Sequence, residues 1–248
     1  MSNLFGLIVI GDEILFGQRQ DSHLTHFRER LGSRGLKLTR CWLLPDDAPI
    51  LTEHLRFSLK SELPVFICGG IGATPDDLTR ACAAEAAECS LVRHPEAAAL
   101  IKGRFGDKAH PTRIRMADLP EKCSLIPNPY NQIPGFSIDQ HHFLPGFPEM
   151  AWPMAEWVLD QYYAEKRGEI FEEASLQVIH TPESSLVPIM EAFAGRFPGF
   201  KLYSLPRLGE TPSIELGLRG SGEIKPAMDA LAASLHEAGI PFLSTKAP

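Results

Sequence analysis

The sequence predicts an α/β fold: a mostly parallel sheet covered by helices, followed by a small α+β module. Three observations carry that prediction. Two short runs, Leu4–Ile10 and Val65–Cys68, are apolar on both faces, as strands buried between helical layers must be. Strand-like and helix-like patterns alternate through the first half, which is the arrangement a parallel sheet requires. Between the second apolar run and a helical pattern, Arg80–Ala87, lies Gly69-Gly70-Ile71-Gly72-Ala73-Thr74-Pro75-Asp76-Asp77-Leu78-Thr79. Such a glycine-rich turn lets backbone N–H groups come close to a phosphate.

Taken in order, Leu4–Ile10 is the first strand and ends at Gly11-Asp12-Glu13. A helix is predicted over 21–33, with Leu24, Phe27 and Leu31 on one face and Gly35 as its stop. Leu36–Leu44 reads as a second strand, followed by the Pro45-Asp46-Asp47 turn. Pro49–Leu59 is helical, with Asp47 as its cap. The strand at 65–68 and the glycine loop follow. Pro95–Phe105 reads as a helix, 116–126 as a region holding one strand, and 128–136 as a loop. His142-Phe143-Leu144 is a short strand, and a helix runs from Pro148 to about Lys166. The composition changes near residue 168, giving domains 1–168 and 169–248. The second reads as strand (176–180), helix (182–195), strand (201–205), strand (213–218), helix (224–238) and strand (241–243), a ferredoxin-like βαββαβ order.

Composition narrows the function. The 248 residues are 44% hydrophobic and 22% charged, an ordinary globular balance. A net charge of −7 argues against nonspecific binding to nucleic acid or an anionic membrane. The five cysteines (41, 68, 82, 89 and 123) are odd in number and form no C-x-x-C pair, so neither a disulfide framework nor a structural zinc site is expected. A reducing cytoplasm is the expected compartment. Leu4–Ile10 is too short for a signal-sequence core, and no segment is long enough to span a bilayer.

Ligands of open α/β sheets bind at the carboxyl ends of strands. Gly11-Asp12-Glu13, Asp46-Asp47 and the glycine loop all lie at such ends. Gly69, Gly70 and Gly72 would offer N–H groups, and Thr74 and Thr79 hydroxyls. Of the adjacent aspartates, one of Asp76 and Asp77 caps the following helix while the other faces a ligand or metal; Asp77 is the first choice for a metal or catalytic carboxylate. Asp12 is suited to a hard cation, which prefers oxygen ligands, and Glu13 to the ligand or the loop. His141-His142 on a strand face opposite sides and do not form a metal pair. His23-x-x-His26 has helical spacing and no further signal. Trp152 and Trp157 are expected to pack their helix against the sheet or a partner subunit. Gly217-Leu218-Arg219-Gly220 spells G-x-x-G, but it ends a predicted strand, and residues 171–248 carry six basic and nine acidic residues, so RNA binding is not expected there.

The ordered motifs resemble the molybdopterin-binding-like domain family, in particular the N-terminal region of the competence/damage-inducible CinA proteins. They are Gly11-Asp12-Glu13-Ile14-Leu15-Phe16-Gly17 with Asp21, Pro45-Asp46-Asp47, the Gly69–Thr79 loop, Arg115-Met116-Ala117-Asp118-Leu119-Pro120, Asn128-Pro129, Pro134-Gly135-Phe136, and Leu144-Pro145-Gly146-Phe147-Pro148-Glu149-Met150. They span roughly residues 4–160. Three stretches depart from the family pattern: Asn131-Gln132-Ile133 stands where Gly-Thr often precedes Ala-Pro-Gly, Asp21-Ser22-His23 stands for Asp-Thr-Asn, and Gly72-Ala73-Thr74 for Gly-Pro-Thr.

The resemblance implies a three-layer α/β fold and a ligand bearing a phosphate or pyrophosphate. It implies metal-dependent hydrolysis of ADP-ribose or a related compound, with Mg²⁺, Mn²⁺ or Co²⁺, or else non-catalytic binding of molybdopterin or another pterin phosphate. Asp46 matches a carboxylate used by adenylylating relatives, so Asp46 and Asp77 are expected to be catalytic, and Asp12, Asp46 and Asp77 to hold metal. Arg115, Pro134, Gly135, Pro145 and Gly146 enter as ligand-binding residues from their places in the resembling motifs. The sequence ends before any nicotinamide mononucleotide deamidase domain, so that activity is not expected, and a homo-oligomer is.

Overall fold

Each apolar run becomes a strand whose two faces are buried against different helices. A computed structural model describes residues 3–166, 168, 171–193, 195–209 and 212–244. The chain divides into two compact units, Met1–Gly168 and Glu169–Pro248.

In the first unit the chain runs β1 (Leu4–Ile10), α1 (Asp12–Leu15), α2 (His23–Gly32), β2 (Lys37–Leu44), α3 (Ala48–Leu59), β3 (Val65–Cys68), α4 (Thr79–Ala86), β4 (Leu91–Arg93), α5 (Pro95–Phe105), β5 (Asp118–Pro120), β6 (Ser124–Ile126), β7 (Gly135–Ile138), β8 (His141–Leu144) and α6 (Pro148–Tyr162). The main sheet has the order β2-β1-β3-β8-β7-β6. The pairs from β2 to β8 are parallel, and β7 and β6 add an antiparallel edge. Along β1 the period of two divides the core: Phe5, Leu7 and Val9 pack with Phe27 and Leu31 of α2 and with Met154 and Val158 of α6. Ile8 and Ile10 pack on the other face with Leu51 and Leu55 of α3, Cys82 and Ala83 of α4, and Ile101 of α5. This is the expected three-layer α/β arrangement.

Capping sets the helix starts. Asp47 accepts the Ile50 N–H at 3.0 Å, and Pro49 sits in the first turn, where its missing N–H costs nothing. Asp21 does the same for α2, accepting the N–H groups of His23 and Leu24 at 2.9 and 3.0 Å, so the helix begins at His23 rather than at 21. Arg30 and Arg34 then reach across to Glu156 and Asp160 and join α2 to α6.

The structure corrects several expectations. Asp12–Leu15, at the end of β1, is wound into a one-turn helix. The region 116–126 holds the end of a 3₁₀ turn (Arg113–Ala117) and two strands in different sheets, because β5 pairs with β4 in a separate ribbon while β6 joins the main sheet. The last helix of the unit stops at Tyr162 rather than near Lys166.

In the second unit β9 (Phe171–Ile179), α7 (Val187–Phe193), β10 (Phe200–Arg207), β11 (Ser213–Ser221), α8 (Ile224–Glu237) and β12 (Phe242–Ser244) follow. The sheet order β10-β11-β9-β12, antiparallel throughout, is that of the ferredoxin-like split βαβ pair. β9 starts at Phe171 rather than 176, because its front half pairs with the second half of β11, Phe171 opposite Ser221 and Ser175 opposite Gly217. The helix expected over 182–195 is a 3₁₀ turn (Glu183–Ser185) and a shorter α7, with Pro188 in the first turn of α7. Among the described residues no helix is long and apolar enough to cross a membrane.

Candidate functional site

A cleft of about 450 Å³ opens at the carboxyl ends of β1, β2, β3 and β8. The turns after these strands build it. Gly11 and Glu13 come from the end of β1, Asp46 from the end of β2, the stretch Gly69–Thr74 with Asp76 and Asp77 from the end of β3, and Pro145, Gly146 and Phe147 from the end of β8. Asn128, Asn131, Ile133 and Pro134 close it from before β7, and Met116 and Met150 add apolar lining.

The glycine loop is held from inside. Gly70 adopts φ +66°, and a Cβ there would collide with the Thr79 hydroxyl; at Gly69, φ is +118° and a Cβ would strike the Ile10 carbonyl. Asp77 turns both oxygens back into the loop, accepting the Gly72 N–H at 2.7 Å, the Thr74 N–H at 2.8 Å and the Thr74 hydroxyl. Thr79 is fully buried and donates to the Gly69 carbonyl at 3.0 Å. Arg80 is buried behind the loop and donates to the carbonyls of Gly72 at 2.7 Å, Asp118 at 3.1 Å and Arg115. With those bonds made, the N–H groups of Gly70, Ile71 and Ala73 have no protein acceptor among the described residues. Neither does that of Gly146 on the neighbouring turn. Free amides on a loop that lines a cleft are donors for an anion.

Asp46 is a half-buried carboxylate lining the cleft. Its Oδ2 accepts the Asp12 N–H at 3.1 Å, and the Asp46 N–H returns to Asp12 Oδ1 at 3.4 Å, so the two turns brace each other. Its Oδ1 lies toward Gly70. Burial pushes the Asp46 carboxyl above its ordinary value; the Asp12 N–H opposes that, and the nearby carboxylates of Asp12, Glu13 and Asp76 reinforce it. A carboxylate poised this way takes up a proton more readily than a free one.

The other wall is fixed by His23. Its Nδ1 accepts the Trp152 indole N–H at 3.3 Å, so Nε2 carries the proton and donates to the Gly146 carbonyl at 3.1 Å. His26 stacks on the same indole, with centroids 4.0 Å apart. The His-x-x-His spacing thus serves to hold α2, α6 and the Pro145–Gly146 turn together. Trp157 meets Tyr162 edge-on. His141 and His142 face opposite layers, His141 bonded to Ser58 of α3 and His142 to Ser137 and Tyr163.

Twelve of the expected residues line the cleft: Gly11, Glu13, Asp46, Gly69, Gly70, Gly72, Thr74, Asp76, Asp77, Pro134, Pro145 and Gly146. Four do not. Asp12 braces Asp46, and Thr79 is spent on the Gly69 carbonyl. The exposed Arg115 contributes only its backbone carbonyl, to Arg80. Gly135 lies within β7, where a Cβ would press on the Phe143 carbonyl, so its glycine serves strand pairing. Asp12, Asp46 and Asp77 do not form a three-carboxylate metal set, and among the described residues no three His, Cys, Asp or Glu side chains are grouped to hold an ion. Both oxygens of Asp77 and one each of Asp12 and Asp46 accept backbone N–H groups instead.

Arg19 is the residue that sequence reasoning missed. Among the described residues it is the only lysine or arginine lining the cleft and makes no ion pair, and its guanidinium lies 5.9 Å from the Phe147 ring centroid. Its one signal was its place just after the Gly11–Gly17 motif.

Residues 6–164 match the family model described as a probable molybdopterin binding domain. A CinA-like protein of Geobacter sp. (strain M21) is 32% identical over 239 residues, which cover 93% of this chain and 56% of that protein. The chain therefore spans little more than half the length of that relative. Protein PAE0875 of Pyrobaculum aerophilum is 23% identical over 256 residues, covering 99% of this chain and 96% of that one. The crystal structure of the protein CinA from Thermoplasma acidophilum, described as of unknown function, superposes with a TM-score of 0.59 at 26% identity, over 64% of this chain and 98% of that one. The chain belongs to the probable molybdopterin-binding domain family and is similar over most of its length to CinA-like proteins.

Proposed function

We propose that this protein is a metal-dependent pyrophosphatase acting on a nucleoside diphosphate-linked small molecule, with ADP-ribose as the representative substrate. The observation that carries the reading is the pairing of free loop amides with a half-buried carboxylate across one cleft. The amides of Gly70, Ile71 and Ala73 receive pyrophosphate oxygens, and Arg19 supplies the positive charge that the carboxylate-rich lining otherwise lacks. Asp46, through Oδ1, accepts the proton of the attacking water. Water and ADP-ribose then yield AMP and ribose 5-phosphate.

A divalent ion fits these residues in one way. Asp46 is crowded by Asp12, Glu13 and Asp76, a repulsion that a cation relieves, yet among the described residues no three side chains form a cage. That is the donor set of Mg²⁺, which is held by one or two carboxylates with substrate phosphate and water as the remaining ligands. Asp46 and Glu13 are the residues that would hold it. Such an ion, when bound, polarises phosphorus and lowers the pKa of water.

The second reading is a binder of a pterin phosphate without turnover. The family description and the internal engagement of Asp77 favour it. The test is hydrolysis of ADP-ribose, FAD and NAD by the purified protein, with Mg²⁺, Mn²⁺ or Co²⁺ and with chelator. The expected outcome is metal-dependent AMP release, reduced about 100-fold or more in Asp46→Asn, the range seen when a general base is removed. No turnover under any condition, together with pterin fluorescence in the purified protein, would sink the first reading in favour of the second.

A further inference from the structure

A second cavity of about 290 Å³ adjoins the cleft. The two share Ile10, Glu13, Arg19 and Gly146, so they meet at a neck where Arg19 stands. Beyond the neck the chemistry changes. The wall is apolar, from Val9, Ile14, Cys68 and Pro148, and the rim is polar, from Gln20, Asp21, Ser22 and His23. Asp21 gives one hydrogen bond's worth of each oxygen to the cap of α2, which leaves a further acceptor position on each. Glu13 reaches the same space. Carboxylates above an apolar wall match a sugar, whose hydroxyls donate and whose ring carbons need no partner.

We propose that this second cavity binds the hydroxyl-bearing sugar beyond the second phosphate of a two-headed ligand. The pyrophosphate then lies at the neck, against Arg19 and the loop amides, and the nucleoside occupies the larger cleft. This rests on the phosphate reading of the cleft and goes beyond it. It assigns Gln20, Asp21 and Ser22 as the residues that distinguish a sugar-capped pyrophosphate from a plain nucleoside diphosphate. His23 belongs to the same wall, because its ring fixes the Gly146 carbonyl at the neck.

The test separates this from catalysis by using ligands that cannot be cleaved there: the α,β-methylene analogues of ADP and ADP-ribose, titrated calorimetrically with Mg²⁺ present. Ser22→Trp and Gln20→Trp fill the second cavity at exposed positions that do not line the cleft. The parent is expected to bind the ADP-ribose analogue about tenfold or more tightly than the ADP analogue. Each variant should erase that preference while holding the ADP analogue within about twofold of the parent. Two variants are used so that a fold lost in one, read by circular dichroism, leaves the other to decide. No preference in the parent, or parallel loss of both analogues in a folded variant, overturns the proposal. Tight, discriminating binding without hydrolysis of ADP-ribose itself would uphold it and remove the pyrophosphatase reading instead.

Discussion

Arg19, rather than the expected Arg115, brings positive charge to the cleft, and it changes the electrostatics there. Glu13, Asp46, Asp76 and Asp77 line the same space, so an anion entering it meets four carboxylates and a single guanidinium. Loss of that guanidinium should therefore be felt by every phosphate ligand. Arg19→Gln is expected to weaken the methylene ADP analogue by about 1.5–3 kcal/mol, the value of a hydrogen bond to a charged group, and to flatten the dependence of binding on salt. Titrations at low and high ionic strength check both. Arg19 was illegible because an exposed arginine in a turn carries no periodicity and no fixed spacing to a partner. Asp46 was singled out through the resembling motif rather than by any local pattern, and its reciprocal bond with Asp12, which joins the turn after β2 to the end of β1, could not be read from the sequence.

At the scale of elements, the loop over 128–134 carries a backbone cost at one residue. Gln132 is exposed and adopts φ +66°, a left-handed conformation that glycine accepts without strain. The turn survives because Asn128 accepts the N–H groups of Tyr130, at 3.0 Å, and Asn131, while Asn131 in turn accepts that of Ile133 at 2.9 Å. Gln132→Gly should stabilise the protein by about 0.5–1 kcal/mol, read as a higher melting temperature, with no change in fold by circular dichroism. The elements themselves were legible in proportion to their burial. β1 and β3 are buried along almost their whole length, and their apolar runs said so. Leu91–Arg93 is exposed at all three positions and is a strand only because β5 pairs with it, so nothing local marked it. The one-turn α1 is likewise too short to carry a period.

Across the whole molecule, two buried histidines make stability depend on acid. Burial pushes the His141 imidazole down to about 4, and burial with the neighbouring His141 pushes His142 down to about 3. In the unfolded chain both return to about 6.5. As pH falls below that value the unfolded chain binds protons that the native state refuses, so stability is full above it and is lost on the way down toward 4 and 3. Thermal melts from pH 7 downward should show a steep fall in melting temperature. The fall should be shallower in a His141→Gln/His142→Gln variant, whose amides do not titrate; an unchanged slope would mean other groups set it. A different whole-molecule consequence follows from Arg80. Its guanidinium fastens the Gly72 carbonyl to the backbone of Arg115 and Asp118, and Asp118 is the first residue of the strand that pairs with β4. The glycine loop cannot swing outward while that clamp holds. Its clock is the lifetime of the clamp, so a loop that looks built for speed from its three glycines keeps the tempo of a buried cation.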